Sequence, residues 1–228
     1  MSPLMDTIYK GDLTTQAGRR NAWVDAMFVD HAILRFWWTN FRAVKPGRLY
    51  RSNHPTPGNL IAFVRRAGIG AVINLRGPTN NGSDALSRDM AARLGLEFYD
   101  MALESRGAPH RDRILRLADI FATMRAPGLI HCKSGADRAG LAAGLFILIE
   151  GGTTAEALAQ LSLRYGHVKQ AKAGILDEFF HTYAREGEAQ GIPFLTWVHD
   201  HYDEQGLRDR FRPGGFAEFV NAKILRRE

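Results

Sequence analysis

The residues best suited to chemistry lie together in Leu129 to Gly140, LIHCKSGADRAG. Cys132 is the only cysteine of the chain, and five residues separate it from Arg138, with Gly135 between them. The apolar run Gly128 to Cys132 reads as a strand, and a Gly- and Ala-rich helical pattern runs from Arg138 to Ile149. A thiol at such a junction faces the unpaired N–H groups and partial positive charge of a helix N-terminus. That field, with Arg138 nearby, favours the thiolate, which is the nucleophilic form. The loop Lys133 to Asp137 can turn successive backbone N–H groups inward into an anion nest, and Gly135 gives the backbone room to do so. The guanidinium of Arg138 offers a planar fork matched to two phosphoryl oxygens. A nucleophile beneath a bound oxyanion is the geometry for displacement at phosphorus. An inert buried cysteine is the plainer alternative, and the company of Gly135 and Arg138 at this junction argues against it.

This stretch resembles the signature of the cysteine-based protein tyrosine and dual-specificity phosphatases: His-Cys, five residues, Arg. His131, Cys132, Gly135 and Arg138 carry the match. Asn40-Phe41-Arg42, Gly47 to Ser52 (GRLYRS) and Gly68 to Gly77 (GIGAVINLRG) extend it, since they look like the amino-terminal half of microbial phosphatases of the atypical dual-specificity type. The likeness covers roughly Asn40 to Gln160. It implies a tyrosine-phosphatase-like α/β fold and a metal-free, cofactor-free mechanism through a phosphocysteine that water hydrolyses. By the same resemblance Cys132 is the nucleophile, Arg138 is the phosphate clamp, and His131 tunes the thiolate from behind. Lys133, Ser134, Gly135, Ala136, Asp137 and Arg138 form the phosphate-binding loop.

The leaving oxygen needs a proton from a donor within hydrogen-bond reach, and three carboxyl groups compete. Asp137 is favoured, because loops with Asp at this position resemble those of myotubularin and bacterial phosphoinositide phosphatases, where this residue is implicated in acid chemistry. Its plainer role is to brace the loop. Asp100 lies about thirty residues before the cysteine, as the donor does in many relatives, but falls inside the strand pattern LEFYDMAL. Glu104 follows on the loop ESRGAP. One departure concerns Ala139, where the family commonly has Ser or Thr to stabilise the departing thiolate. The expected consequence is slow breakdown of the phosphoenzyme without loss of phosphate binding.

These residues need a scaffold, and the chain supplies alternating elements from Asn40 onward. Arg42 to Ser52 reads as two short extended pieces around a Pro46-Gly47 turn. Thr56-Pro57 opens a helix through Arg66, and Gly70 to Leu75 is a buried strand. Ser83 to Leu94 is helical and Leu96 to Leu103 extended. His110 to Met124 is an amphipathic helix with Ile114, Leu117, Ala118 and Phe121 on one face. Thr153 caps a helix, and Gly174 to Gly187 forms another. The order implies a central, mostly parallel sheet flanked by helices. The expected organisation is an amino-terminal helical extension over 1–39, a phosphatase domain over 40–187 and a carboxy-terminal helical extension over 188–228.

Composition sets the outer bounds. The chain has 228 residues, 45% hydrophobic and 24% charged, with a net charge of +6. One domain with extensions fits that length, and the composition excludes wholesale disorder. A single cysteine excludes an internal disulfide and a multi-cysteine zinc site. No secretory signal or membrane span is visible, so a cytoplasmic protein is expected. Asn21 to Trp38 (NAWVDAMFVDHAILRFWW) reads as a helix packed on the domain or as an interfacial helix giving peripheral membrane contact. Basic residues at Lys133, Arg48, Arg51, Arg76, Arg106 and Arg111, expected near one face, favour multiply anionic substrates. A phosphorylated protein is the first candidate and a phosphoinositide or other phospholipid head group the second. Lys133-Ser134-Gly135 and Asp137-Arg138 also occur in some inositol-phosphate phosphatases, but Ala136 replaces their second Lys. A sulfurtransferase of the rhodanese type fits His131 and the upstream match poorly. A non-catalytic phosphate-binding module is kept open by Ala139 alone. No Lys/Arg run or recognised motif points to nucleic acid despite a pI near 9.7.

Overall fold

The computed structural model describes residues 9–28, 38–168 and 172–211. They fall into two compact units, Met1–Ala102 with Ile120–Gly135, and Leu103–Asp119 with Ala136–Glu228. The fold is α/β, with one mostly parallel five-stranded sheet.

The first unit holds the sheet. Its strands are β1 (Arg42–Lys45), β2 (Leu49–Ser52), β3 (Ala71–Asn74), β4 (Glu97–Asp100) and β5 (Gly128–His131), in the order β1-β2-β5-β3-β4. Only β1 runs antiparallel, joined to β2 by the Pro46-Gly47 turn, where Gly47 has φ 73°. The parallel strand β5 is buried at all four positions and lies between β2 and β3, as an apolar run without alternation requires. Registers align Ser52, His131 and Asn74 across the carboxyl ends of β2, β5 and β3. In open parallel sheets that edge is where ligand-binding loops gather. Helix α1 spans Gln16–Phe28, α2 Pro57–Ala67 and α3 Gly82–Arg93. Thr56 caps α2, accepting from the Asn59 N–H, and Pro57 occupies its first turn, where a missing N–H costs nothing. Leu60 and Phe63 of α2 and Ala91 of α3 bury against Val72 and Leu129 of the sheet.

Two sequence expectations change here. Leu96 to Leu103 was expected to be extended throughout, but β4 ends at Asp100, opposite Asn74, because β3 offers no further paired residue. The helix expected over Asn21 to Trp38 begins earlier, at Gln16, and is described to Phe28; 29–37 lie outside the described residues. Its small residues Ala22 and Ala26 pack on Leu86 of α3.

The second unit is helical in its described residues. Helix α4 (Arg111–Thr123) begins in it, followed by α5 (Asp137–Ile149), α6 (Thr154–Ala159), α7 (Ile175–Glu186), α8 (Phe194–Asp200) and α9 (Glu204–Arg210). Helix α5 is apolar nearly all round and buried along most of its length, the signature of a core helix. Gly144 lets α7 approach, since a Cβ there would stand 2.5 Å from the Phe180 ring. Phe179, Tyr183, Phe194, Trp197 and Tyr202 join in edge-on, tilted and stacked ring contacts at 5.0–6.3 Å. Such pairs add to the area they bury and hold α8 and Tyr202, just before α9, on α7.

Candidate functional site

Cys132 follows β5 directly and is buried. The Gly135 N–H donates to its Sγ at 3.3 Å. Gly135 has φ 75°, and a Cβ there would stand 2.7–2.8 Å from the backbone of Ser52 and Asn53. Both the left-handed conformation and the close approach demand glycine.

The loop carbonyls are each taken by a donor from the first unit. The His54 N–H donates to Lys133 O at 3.3 Å, Asn40 Nδ2 to Ser134 O and Gly135 O at 3.2 Å each, and Arg51 Nη2 to Gly135 O at 2.7 Å. In a planar trans peptide the N–H points opposite to the carbonyl. Anchoring three carbonyls outward therefore turns the N–H groups of Ser134, Gly135 and the next residue inward, toward the side where Gly135 meets Sγ. Lys133 and Ser134 are exposed. His131 is buried, its ring edge-on to His54 with centroids 4.6 Å apart. His54 Nε2–H donates to Ser83 O, and its Nδ1 accepts from Arg76 Nη1, so the ring is neutral.

In the second unit α5 opens at Asp137, one residue earlier than expected, with Arg138 second and Ala139 buried third. Arg138 is partly exposed and has no hydrogen bond or ion pair to any described residue. Asp137 Oδ1 accepts from His167 Nδ1 at 2.7 Å, and His167 Nε2 donates to Asp177 Oδ2 at 2.7 Å. Both ring nitrogens face carboxylates, so both carry protons. Burial pulls the His167 pKa down, but hydrogen bonds from Asp137 and Asp177 and their charges outweigh it and raise it to about 9.

The other two carboxyl candidates are more enclosed. Asp100 accepts from Arg88 through both oxygens, at 2.6 and 2.7 Å, and from Asn74 Nδ2 at 3.0 Å. Arg88 also binds Asp84 at 2.9 Å. Glu104 pairs with Arg113 and with His110. Side-chain exposure falls from 31% at Asp137 to 22% at Asp100 and 15% at Glu104.

A family model described as "Tyrosine phosphatase family" matches residues 38–175. The chain belongs to this family. It is a cysteine-based phosphatase, a phosphoric monoester hydrolase. Among solved structures, TpbA of P. aeruginosa is 18% identical with a TM-score of 0.52, covering 75% of this chain and 89% of its own. The catalytic core of the S. cerevisiae phosphatase Siw14 is 17% identical with a TM-score of 0.51, covering 65% and 93%. Both likenesses show the fold. No curated protein matches the sequence.

In this phosphatase three of the basic residues expected to face the substrate bind the protein itself. Arg51 is fully buried and holds Gly135 O, Arg76 binds His54, and Arg111 bonds Tyr202 O. Three cations counted toward substrate are spent on the scaffold. The roles of Asn40 and Arg51 were missed although both lie in the stretches that carried the resemblance. One cue was available at Asn40, a residue type that tolerates the left-handed region, and its φ is 51°. His167 and Asp177 carried no local signal.

Proposed function

We propose that this phosphatase hydrolyses phosphotyrosine in proteins, with Cys132 as nucleophile, Arg138 as phosphoryl clamp and Asp137 as general acid. The Cys132 Sγ–P bond forms as the P–O bond to the leaving group breaks, and the Asp137 proton passes to the departing oxygen. Water then cleaves the Sγ–P bond and releases inorganic phosphate. The Gly135 N–H directed at Sγ in an outward-anchored loop carries this reading, because the same inward N–H groups suit an equatorial phosphoryl oxygen. Family membership supports tyrosine as the carrier, and the match over 38–175 supports assigning the activity to 40–187. Asp137 is favoured over Asp100 and Glu104 as the most exposed of the three, and against Asp100 also because one of its oxygens is committed rather than two.

A phospholipid head group is the second reading, favoured by exposed apolar side chains around the amino-terminal segment. Val24 and Phe28 follow Arg20 at helical spacing on the exposed face of α1, with Phe28 72% and Trp38 51% exposed. Aromatics beside a basic residue suit a membrane interface. Among the described residues no helix is long and apolar enough to cross a membrane.

The test is phosphate release from phosphotyrosine peptides and phosphoinositide vesicles, with Cys132→Ser as control. The expected result is turnover of the peptides and none by the Cys132→Ser protein. Faster release from vesicles would favour the lipid reading. Release by Cys132→Ser at the wild-type rate would remove the mechanism.

A further inference from the structure

His167 lies thirty residues beyond Asp137, outside the signature loop and without a place in the chemistry so far described. It is 1% exposed at the side chain, yet both ring nitrogens are committed at 2.7 Å to carboxylates on the first turns of two helices, Asp137 on α5 and Asp177 on α7. Its backbone is fixed too, since its N–H donates to Ser162 O at 3.1 Å after a short 3-10 turn at Leu163–Tyr165. Here the second carboxylate fixes the ring orientation, so the Nδ1–H direction toward Asp137 is set by Asp177, as an outer partner sets a histidine in a charge-assisted chain.

We infer that His167, oriented by Asp177, is a positioning residue for the general acid: it binds Asp137 Oδ1 and leaves Oδ2 as the oxygen that gives its proton to the leaving group. The inference rests on Asp137 being the acid, as proposed above. The proton balance is simple. The Oδ2–H bond breaks as the O–H bond of the released alcohol or phenol forms, and the carboxylate left on Asp137 is stabilised by the Nδ1–H already on Oδ1. The Asp177 carboxylate opposite Nε2 helps hold the second ring proton, so the Nδ1–H donor stays in place during the transfer. Holding the carboxyl in one orientation also removes a rotamer search from the transition state. Removing His167 should therefore hurt proton donation in particular and leave phosphate capture in place.

The experiment measures kcat/KM of the full chain against phenyl phosphate, a poor leaving group, and p-nitrophenyl phosphate, an activated one. It compares wild type, Asp137→Asn, His167→Asn, Asp177→Asn and the double variant Asp137→Asn/His167→Asn. A lost general acid costs on the order of 10²-fold or more where the leaving group needs a proton, and little where it does not. The expected pattern is a loss of roughly tenfold or more on phenyl phosphate for His167→Asn, a smaller loss for Asp177→Asn, and less than about threefold change for either on p-nitrophenyl phosphate. KM for both esters should hold, and the double variant should be no worse than Asp137→Asn alone.

Should His167→Asn fold poorly by circular dichroism, Asp177→Asn carries the same leaving-group test, because it keeps the imidazole and loses only its orientation. Equal losses on both esters for the folded His167 and Asp177 variants, with Asp137→Asn still selective, would overturn this inference and spare the general-acid assignment. Equal losses for Asp137→Asn as well would overturn both.

Discussion

Asp100 and Asp137 are each held by a buried cation, and they differ in what the cation leaves free. Arg88 grips Asp100 through both oxygens and shares itself with Asp84, while Asn74 adds a further donor. Both oxygens are engaged by three donors, and a carboxylate so held is a scaffold element. His167 takes one oxygen of Asp137 and is itself anchored from behind by Asp177. A planar fork engages both oxygens of a carboxylate, whereas a single ring N–H engages one and orients it. The donor count on a carboxyl group, more than its distance in sequence from Cys132, decides whether an oxygen is left open.

The largest expected effect breaks or confirms that contrast directly. Asp137→Asn should lower kcat/KM on phenyl phosphate by roughly 10²–10³-fold with little change in Tm. Asp100→Asn should keep activity within a few-fold and lose about 1–3 kcal/mol of stability in urea unfolding. Interchanged phenotypes would reverse the assignment of the two carboxyls. Next in size, Arg88→Met strands two carboxylates in the first unit and should cost about 3–5 kcal/mol; a stability near wild type would show that the network is not the brace described.

A third expectation distinguishes the two cations by pH. The His167 pKa is raised above its unfolded value, so its stabilisation is complete below about pH 6.5 and is lost as pH rises through about 9. The stake is at most about 3 kcal/mol. Tm should fall between pH 7 and 10, and His167→Asn should flatten that slope. Arg88 keeps its charge over the same window, held by its hydrogen bonds to Asp100 and Asp84 against its burial, so Arg88→Met should lower Tm without changing the slope. An unchanged slope in His167→Asn would mean the ring is not the titrating group. The smallest effect concerns the residue after Arg138. Ala139→Ser should raise steady-state turnover by a few-fold, on the order of 1 kcal/mol or less in the barrier, and shrink a pre-steady-state burst of phenol. A wild-type chain without a burst would place the slow step before the phosphoenzyme.

Much of the framework was legible because its signals are local. The apolar run GLIH gave β5, Pro57 and Thr56 gave the start of α2, and Thr153 with Glu156 forms the capping box that opens α6. Cys132, Gly135 and Arg138 could be read together because they sit within seven residues of chain. Arg51 was misplaced among substrate-facing cations since nothing in GRLYRS marks which side of β2 meets the loop carbonyls. Asp100 looked like a donor by spacing, and Arg88, which closes it, sits on the preceding helix.

The sequence by itself determined the family, the cysteine-bearing loop, the need for glycine at 135 and the strand that delivers the cysteine, because backbone conformation and hydrophobic period are set by neighbours along the chain. Only the tertiary structure decided which carbonyls Asn40 and Arg51 anchor, which carboxyl group is braced and which is left open, and that a histidine thirty residues away clamps Asp137. Those are pairings between side chains far apart in sequence, and their energies depend on burial and direction, which no local pattern encodes.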